Sequence, residues 1–573
     1  MEVSKLAYAY LEIGGIQNYI LSSGKLKEMI GGSELIEEVF KNILEEVAQN
    51  LGYSFLCYGD DCYPKIPQGK VILVTQRNAG AAFLLFSSES AAKELVHEFS
   101  KKIIDSYPGL PLFGALTSCE WTLQSLNQAR KDLQEKIRIK RALNCCSSGM
   151  QMQPFCQVSN VDGLPAVGVD KKDLVSIYSC IKRDRNLIES AKQRLQKTVF
   201  SPRKFGFDTD NWIWEDDLEK MVGGESNRVA LVHMDGNDLG RLFIDAIESI
   251  KKDKSVTLEQ SILRMSALSA LVEKSNSYAF KKAVRAVLQY LYGSENKSNH
   301  KPVVPLRPLV LGGDDVTILI RADLALLFTN VFVRAFEYKT GNIAKNSKIL
   351  NLEDNFKLSL GVGMVVCSTS YPFSKAFSLA EELIDNAKNH TSSGYKGVSD
   401  RPSSIDYLII SNDLEDDLKE LRRHLYTTND GISLTGKPFL LKEDFLESFV
   451  NNALKVTNVF SRGALRSLLG EIRFGKESAE KSYTQQIKNL SRGIGGRGKP
   501  ITGTSSDNES YSVFKKLFPN SFFDENYSFT YLGDYLEIEK LLPSNCFSND
   551  PSEYKSTANR YMDALTQKVD EDF

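Results

Sequence analysis

Two adjacent aspartates, Asp314 and Asp315, follow a pair of glycines in the segment RPLVLGGDDVTILI, residues 307–320. The apolar runs on both sides predict two strands joined by a tight turn, because Gly312 and Gly313 can adopt the backbone angles of such a turn. Neighbouring carboxylates repel each other, and burying the pair is costly unless a cation lies between them. The segment therefore predicts a hairpin whose tip binds cations.

A third aspartate, Asp235, follows another apolar strand in the segment NRVALVHMDGND, residues 227–238. The surrounding elements predict a β-α-β-β-α-β sheet, in which the end of the first strand and the tip of the central hairpin are neighbours. Asp235 and Asp314 should therefore converge, with the Gly236 carbonyl as a further ligand. Oxygen ligands of this kind suit Mg²⁺ or Mn²⁺. Two such ions can bridge a triphosphate, activate an attacking hydroxyl and stabilise the leaving pyrophosphate.

A Gly-Gly-Asp-Asp turn alone supports this chemistry weakly, because glycine and aspartate are common in solvent-exposed turns. Three features strengthen it: both flanks are apolar, a second strand ends in MDGND, and Lys388 lies on a downstream helix where its ammonium could meet phosphates. Taken singly, Lys388 is typical of a solvated helix lysine. Together these features predict a nucleotidyl-transfer site in which Gly312, Gly313 and Lys388 contact the nucleotide.

The elements that would position these residues occur twice. In the second half, a helix at about 322–339, a strand at Lys357–Val366 and an amphipathic helix follow the hairpin. In the first half, LAYAYLEIGGIQNYI (residues 6–20) is a strand running into a helix, and Lys70–Phe86 is typical of a strand, a turn and a strand. This order predicts the α+β class, with two ferredoxin-like domains in tandem and a helical C-terminal domain.

The first copy lacks the acids of the second. Glu12 stands where the second copy has Asp235, and the turn RNAGA, residues 77–81, contains no carboxylate. The spacing is similar, since Gly80 follows Glu12 by 68 residues and Asp314 follows Asp235 by 79. We therefore expect the first copy to be catalytically empty. The alternative is that the repeat is a coincidence, because the β-α-β-β-α-β order is common.

The composition limits the classes of protein that fit. A chain of 573 residues exceeds one hydrophobic core, so two to four domains are expected. The formal net charge of −2 argues against strong independent binding to nucleic acid, which usually needs a basic surface. Nine scattered cysteines indicate a reducing cytoplasm rather than a disulfide framework. The first residues carry no signal-peptide pattern, and no apolar run approaches the roughly 20 residues that cross a bilayer.

Six motifs together resemble the large catalytic subunit of type III CRISPR effector complexes, in which only the second of two palm domains carries Gly-Gly-Asp-Asp. They are LEIGGIQNYILSSGKLKEMIGGSELI, VALVHMDGNDLGRLF, RPLVLGGDDVTILI, LSLGVGMVV, FSLAEELIDNAK and SSIDYLII, and they lie within about residues 5–410. The resemblance implies four parts. These are a catalytically degenerate first palm (1–142), an inter-palm helical segment with cysteines (143–225), a second palm (226–411) and a helical C-terminal domain (412–573).

The resemblance also implies an activity. In the family, the second palm uses ATP, and its metal-binding acids correspond to Asp235, Asp314 and, less closely, Asp315. An attacking 3′-hydroxyl displaces pyrophosphate from an α-phosphate. The usual products are cyclic oligoadenylates made when target RNA is bound, whereas some relatives join AMP to S-adenosylmethionine. The spacing of the motifs does not separate these two acceptors.

Four further residues are candidates for the nucleotide site. Asn237 and Asp238 follow Asp235 directly and are expected near the acceptor or the base. Ser266 and Ser269 lie on the next helix, although serines in a helix of small residues are more often structural.

Two departures from the family pattern lead to further expectations. The first palm begins at about residue 5 and the sequence has no His-Asp pair, so we expect no DNA-cutting nuclease domain. Many members bind zinc between the palms through paired CxxC motifs. Here Cys145, Cys146 and Cys156 lack that spacing, and Ser159 stands where another cysteine would fall. Zinc is therefore not expected, and small buried cysteines fit better.

The resemblance implies partners as well. We expect other subunits of a CRISPR RNA-guided complex, with crRNA and target RNA held mostly by those subunits and no membrane. Binding of target RNA would shift the palm from an inactive to an active population. Two alternatives stay open: a catalytically silent scaffold in the same complex, and a stand-alone cyclase for guanine nucleotides.

Overall fold

A computed structural model describes most of the chain. The described residues are 5–56, 63–78, 80–143, 156–200, 212–223, 227–252, 256–293, 302–313, 315–353, 355–392, 395, 398–410, 417–428, 431–442, 444–491, 529–547 and 551–567. The strands are β1 (Leu6–Ile13), β2 (Ser54–Leu56), β3 (Val71–Asn78), β4 (Ala81–Phe86), β5 (Leu112–Cys119), β6 (Ala166–Asp170), β7 (Asp173–Ser176), β8 (Arg228–Gly236), β9 (Leu306–Gly312), β10 (Asp315–Arg321), β11 (Leu360–Ser368), β12 (Ser404–Ile409) and β13 (Phe439–Leu440).

The helices account for most of the remaining described residues. They are α1 (Ile16–Leu21), α2 (Leu26–Glu38), α3 (Leu44–Asn50), α4 (Glu89–Ser106), α5 (Leu123–Leu143), α6 (Ile177–Lys182), α7 (Arg185–Phe200), α8 (Leu218–Val222), α9 (Leu239–Lys252), α10 (Leu258–Tyr292), α11 (Ala325–Asn346), α12 (Phe373–Ser392), α13 (Leu418–Tyr426), α14 (Phe445–Val459), α15 (Arg462–Ile472), α16 (Lys476–Ser491), α17 (Leu532–Ile538) and α18 (Pro551–Leu565). A π-helical turn, Val39–Ile43, joins α2 to α3. Among the described helices, none combines the length and the apolar character that crossing a membrane requires.

The first sheet has the strand order β2-β3-β4-β1-β5. Its central strand, β1, pairs antiparallel with β4 on one side and β5 on the other. Successive side chains of a strand point to opposite faces. Leu6 and Tyr8 accordingly pack in a small cluster with α5, whereas Ala7, Ala9 and Leu11 pack in the main core. Both faces of this sheet are therefore covered.

The second sheet has the order β13-β12-β11-β8-β10-β9. Its central strand, β8, pairs antiparallel with β10 and β11, as β1 does with β4 and β5. Four strands of each sheet thus share one arrangement, which is the ferredoxin-like one. The predicted α+β class, with two such domains and a helical C-terminal region, is confirmed.

Two predicted boundaries in the second half are shifted. The helix expected at about 322–339 is α11, which begins at Ala325 because the preceding three residues form a 3₁₀ turn. The strand expected from Lys357 begins at Leu360, since pairing with β8 starts where Leu360 faces Gly236, the last residue of β8.

Helix α12 lies directly on β11. A Cβ atom added at Gly363 would be 2.2 Å from the Ala380 carbonyl oxygen, so glycine is needed for this close approach. The apolar positions that predicted this helix, including Leu379 and Leu383, are buried against the sheet. This contact fixes where the C-terminal turns of α12 lie relative to the end of β8.

The remaining elements connect and flank the two sheets. A β6-β7 hairpin and helices α6 to α8 lie between them in sequence. Helix α10 has 35 residues and begins with a capping box in which the Thr257 and Gln260 side chains bond each other's backbone N–H groups. Helices α13 to α18 follow β12 in the chain, and β13, between α13 and α14, extends the second sheet beside β12.

Candidate functional site

The centre of the candidate site is a pair of aspartates on neighbouring strands. Asp235, near the end of β8, is the direct register partner of Asp315, the first residue of β10. Directly opposed residues of an antiparallel pair project their side chains to the same face. The Asp235 and Asp315 side chains are 37% and 24% exposed, so both reach the sheet edge without being sealed in the core. Asp314 lies outside the described residues, and its predicted convergence with Asp235 stays a prediction.

Lys388 meets this acid pair from α12. Its Nζ donates to Asp235 Oδ2 and, over 3.1 Å, to the Gly236 carbonyl oxygen. The lysine reaches them by passing over β11 at Gly361, where an added Cβ would lie 2.8 Å from Lys388 Cγ. The predicted cation on this helix is thus brought to the predicted carboxylate and carbonyl ligands.

Asp315 is held by residues that sequence reasoning missed. Gln17 of α1, in the first domain, donates its side-chain amide to Asp315 Oδ2. On the other side, His233 Nδ1 lies 3.3 Å from Asp315 Oδ1 and 3.0 Å from Thr317 Oγ1. Burial lowers the pKa of His233, so the neutral imidazole is favoured beside Asp315.

The two residues after Gly236 make structural contacts. The Asn237 backbone N–H donates to the Ser359 carbonyl and its Nδ2 to Ser359 Oγ, both over 2.9 Å. Asp238 has a positive φ of 54° and accepts a 2.8 Å hydrogen bond from Arg401 Nη1. Arg401 Nη2 also donates to the Lys388 carbonyl. The loop after β8 and the end of α12 are thereby fastened together, and the predicted nucleotide contacts of Asn237 and Asp238 stay predictions.

The hairpin glycines lie as expected, and the two serines lie apart from them. Gly312 is the register partner of Asp315, and Gly313 has a φ of 60°, which glycine adopts without strain. Asn276 of α10 donates to the Gly313 carbonyl oxygen over 2.5 Å. Ser266 and Ser269 are half-buried on the same helix and do not line the cavity next to the hairpin. Their role in nucleotide binding stays a prediction.

That cavity lies between the two domains and is lined by both. Glu12, Ile16 and Gln17 line it from the first domain, and Gly312, Gly313 and Asp315 do so from the second. Its volume is about 230 Å³. Cavities that bind drug-sized ligands usually measure about 300–1,000 Å³. The cavity itself is therefore below that range.

The chemistry of the donor atoms fits a hard cation. Asp235 Oδ2 and the Gly236 carbonyl oxygen already bind a cationic group, the Lys388 ammonium, and Asp315 faces Asp235 across the strands. Carboxylate and carbonyl oxygens are the ligands that Mg²⁺ and Mn²⁺ prefer. Within the described ranges, no group of three or more His, Cys, Asp or Glu side chains is arranged to hold a metal ion. A complete ligand set would therefore need rearrangement of these side chains or the participation of Asp314.

Of the three cysteines predicted not to bind zinc, only Cys156 lies within the described residues. Cys145 and Cys146 lie outside the described residues, whereas Cys156 is a free, half-buried thiol and Ser159 is buried. The expectation about zinc stays a prediction. The glycine-rich, basic segment SRGIGGRGKP, residues 491–500, is expected to be a surface loop, and after Ser491 it lies outside the described residues.

Three of the missed residues had a signal in the sequence. His233 precedes Asp235 by two, so the period-2 alternation of a strand places them on one face. Gly361 and Gly363 alternate within an apolar strand, which is typical of a strand approached closely by another element. Gln17, Asn276 and Arg401 had no such local signal, because only the tertiary fold brings them to the site.

Residues 228–394 match the family model of the second palm domain of Cas10/Cmr2. This part of the chain is a Cas10/Cmr2 second palm domain. The family predicted from the sequence motifs is thereby confirmed. The palm contains every predicted site residue from Asp235 to Lys388, whereas Gln17 and Arg401 lie outside the matched range.

Solved structures also resemble the chain. One is the Csm1-Csm4 cassette in complex with pppApA, with 13% identity, a TM-score of 0.47 and coverage of 98% of this chain and 70% of that chain. Another is Csm1 in T. onnurineus, with 14% identity, a TM-score of 0.42 and coverage of 98% and 70%. No curated protein matches the chain. The assignment of the palm therefore rests on the family model.

Proposed function

We propose that the chain is the nucleotidyltransferase subunit of a type III CRISPR effector complex and uses ATP to make a signalling nucleotide. The observation that carries this proposal is the pairing of Asp235 with Asp315, with a cationic group already seated on Asp235 and Gly236, inside a Cas10/Cmr2 palm. A palm that served only as a scaffold would have no need to keep two carboxylates facing each other at its edge.

The residues of the palm would have separate roles in binding metal, phosphate and nucleotide. Asp235, Asp315, the Gly236 carbonyl and Asp314 would hold Mg²⁺ or Mn²⁺, which when bound would bridge the triphosphate, favour ionisation of the attacking hydroxyl and stabilise the leaving pyrophosphate. Lys388 reaches the same place from α12, so its ammonium can meet phosphate oxygens. His233 and Gln17 fix the orientation of Asp315, and the turn at Gly312 and Gly313 lets the backbone approach a nucleotide.

The reaction would join two nucleotides. The 3′-oxygen of one nucleotide forms a bond to the α-phosphorus of ATP, while the bond from that phosphorus to pyrophosphate breaks and the hydroxyl proton is lost. Repeated and closed on itself, this step gives cyclic oligoadenylate. With S-adenosylmethionine as the acceptor, it gives AMP joined to S-adenosylmethionine instead.

The proposal includes partner subunits and activation of the palm by target RNA. Other subunits of the complex would hold crRNA and target RNA, and target RNA would shift the palm towards its active population. The net charge of −2 supports contacts to RNA that are shared with those subunits. A cytoplasmic location stays a prediction, as does the expected lack of a DNA-cutting domain.

The test uses the assembled complex. It is incubated with ATP, Mg²⁺ or Mn²⁺ and target RNA, with and without S-adenosylmethionine, and the products are identified by mass spectrometry. We expect an adenylate product that depends on target RNA and disappears in the double variant Asp314→Ala, Asp315→Ala. Product that persists in the double variant contradicts the site. No product under any condition favours the silent scaffold. A guanylate made when the isolated chain is given GTP and Mg²⁺ or Mn²⁺ favours the stand-alone cyclase. Equal turnover with and without target RNA contradicts the proposed activation by target RNA.

A further inference from the structure

We propose that the second palm blocks its own cation site before a nucleotide binds. The Lys388 ammonium occupies the position of a divalent ion at Asp235 and the Gly236 carbonyl. The side-chain amide of Gln17, in the first palm, hydrogen-bonds one carboxylate oxygen of Asp315. This inference rests on the proposed function, because it concerns the same acids. It adds that metal and nucleotide must bind together, and that the first palm takes part in controlling the second.

Packing on several sides fixes the position of the Lys388 side chain. Gly361 leaves room for the lysine stem to cross β11, and Gly363 lets α12 lie against that strand. Arg401 is buried and donates to the Lys388 carbonyl and, over 2.8 Å, to Thr391 Oγ1, which holds the last turns of α12 in place. The ammonium is therefore brought to Asp235 by a rigid helix.

Gln17 makes the second contact across the domain boundary. It belongs to α1, which follows the central strand of the first palm, and its amide bonds Asp315 Oδ2 while His233 lies at Oδ1. An ion that is to bind Asp315 Oδ2 has to displace this amide. Gln17 also lines the cavity between the palms, so a ligand that enters this cavity lies next to the amide.

The charges explain why such a block would exist. Opposed residues of an antiparallel pair lie only about 4.5–5.5 Å apart at Cα, so two ionised carboxylates there repel each other. One ammonium relieves this repulsion in the free protein. A divalent ion competes for the same oxygen atoms and must displace the ammonium, which weakens metal binding to the free protein.

A nucleoside triphosphate would end the competition between the Lys388 ammonium and the divalent ion for the same oxygen atoms. Its phosphate oxygens offer Lys388 a new partner and offer the ion additional ligands. Each ligand then favours binding of the other, and this coupling must be reciprocal.

The experiment measures Mn²⁺ affinity of the full chain by isothermal titration, without nucleotide and with a non-hydrolysable ATP analogue. We expect Lys388→Met to bind Mn²⁺ about tenfold more tightly than wild type without nucleotide, and to lose most of the gain that the analogue gives the wild type. Gln17→Leu, which removes the amide without changing charge, should tighten Mn²⁺ binding by about two- to fivefold. Lys388→Gln is the second variant if Lys388→Met does not fold.

Arg141→Met is the matched control, because Arg141 pairs with Glu12 over 2.9 Å in the first palm, as Lys388 pairs with Asp235 in the second. We expect it to leave Mn²⁺ affinity unchanged. Equal tightening in Arg141→Met and Lys388→Met would mean a general charge effect and overturn the inference, as would unchanged affinity in Lys388→Met. Adding Asp235→Asn to Lys388→Met should abolish the gain.

The outcome is separable from that of the proposed function. If the complex makes no adenylate yet Lys388→Met binds Mn²⁺ more tightly, the proposed function fails and the inference stands. If adenylate is made and the affinity does not change, the inference alone fails.

Discussion

Glu12 and Asp235 occupy the same position in the two palms, but their surroundings differ. Glu12 faces Ala81 on the hairpin strand and Phe113 on the other neighbour. Asp235 faces Asp315 and Gly361 at the same two places. Each acid also pairs with a cation from the helix that follows the last strand of the motif, Arg141 in one case and Lys388 in the other. The acid and its cation persist in both palms, whereas the second carboxylate and the glycine occur only in one.

The surroundings of Glu12 and Asp235 differ in how the neighbouring strand is packed and in how the cation reaches the acid. The Phe113 ring lies where Gly361 leaves room for Lys388, and an added Cβ at Gly14 would be 2.7 Å from that ring. Arg141 is 48% exposed and reaches Glu12 from the outside, whereas Lys388 is 21% exposed and lies over the sheet. The two palms therefore differ at two positions, one on each neighbour of the central strand.

The largest expected effect comes from removing either central acid. Asp235→Asn should lower adenylate production by the complex at least about 100-fold, because a bound metal supplies several kcal/mol of transition-state stabilisation. The equivalent change Glu12→Gln should lower it by less than about tenfold, since Glu12 has no second carboxylate facing it. Rates of pyrophosphate release measure both. Comparable losses in the two variants would contradict the view that only the second palm holds the catalytic ions.

The comparison also shows what the sequence could predict. The doubled ferredoxin-like order was predictable because strand alternation, helix periodicity and glycine turns are local patterns. The meeting of Asp235 with the hairpin followed from that order. What local patterns could not specify was the register, which places Asp315 opposite Asp235. A shift of one residue would turn every side chain of the strand to the other face.

Contacts between distant segments were beyond sequence reasoning for a related reason. Gln17 reaches Asp315 only because the two sheets lie on either side of one cavity, and Arg401 reaches Asp238 only through the loop after α12. No spacing along the chain encodes such a distance. Lys388 is the intermediate case, because the amphipathic pattern located its helix but not the Gly361 gap through which it reaches the acid.

The next effect concerns the close packing that the second palm requires. In Gly363→Ala, the added methyl group would lie 2.2 Å from the Ala380 carbonyl oxygen, so α12 must shift. Such overpacking usually costs about 1–3 kcal/mol of unfolding free energy. Because α12 carries Lys388, adenylate production should fall too. Denaturant unfolding and product yield measure the two effects.

Gly114→Ala on β5, the corresponding strand of the first palm, is the control. Its added methyl group would lie 3.1 Å from Leu11 Cδ2, at the end of a side chain that can move. We expect a change in unfolding free energy of less than about 1 kcal/mol and little change in product. A larger loss in Gly114→Ala than in Gly363→Ala would contradict the expectation that the closer contact is the one between α12 and β11.

The smallest expected effect tests an attachment for which the first sheet has no described counterpart. Beside β12, the Lys437 ammonium lies 4.0 Å from the centre of the Tyr407 ring, 2.8 Å from Glu537 Oε2 and 3.7 Å from Asp534 Oδ1. Asp534 also accepts a 2.6 Å hydrogen bond from Thr435 Oγ1. These contacts dock α17 against the second sheet, and the Lys437 and Asp534 side chains are fully buried.

Burial raises the pKa of Asp534 to about 7, whereas an aspartate in an unfolded chain titrates near 3.9. Between these values the folded chain keeps a proton that the unfolded chain has lost, so this group's contribution to stability is present below about pH 4 and is lost as the pH rises through about 7. Asp534→Asn should remove that part of the pH dependence. Melting temperatures from pH 5 to pH 8 measure it: the wild type should lose more than the variant across this range. Parallel curves would show that Asp534 is ionised throughout and that its pairing with Lys437 outweighs burial.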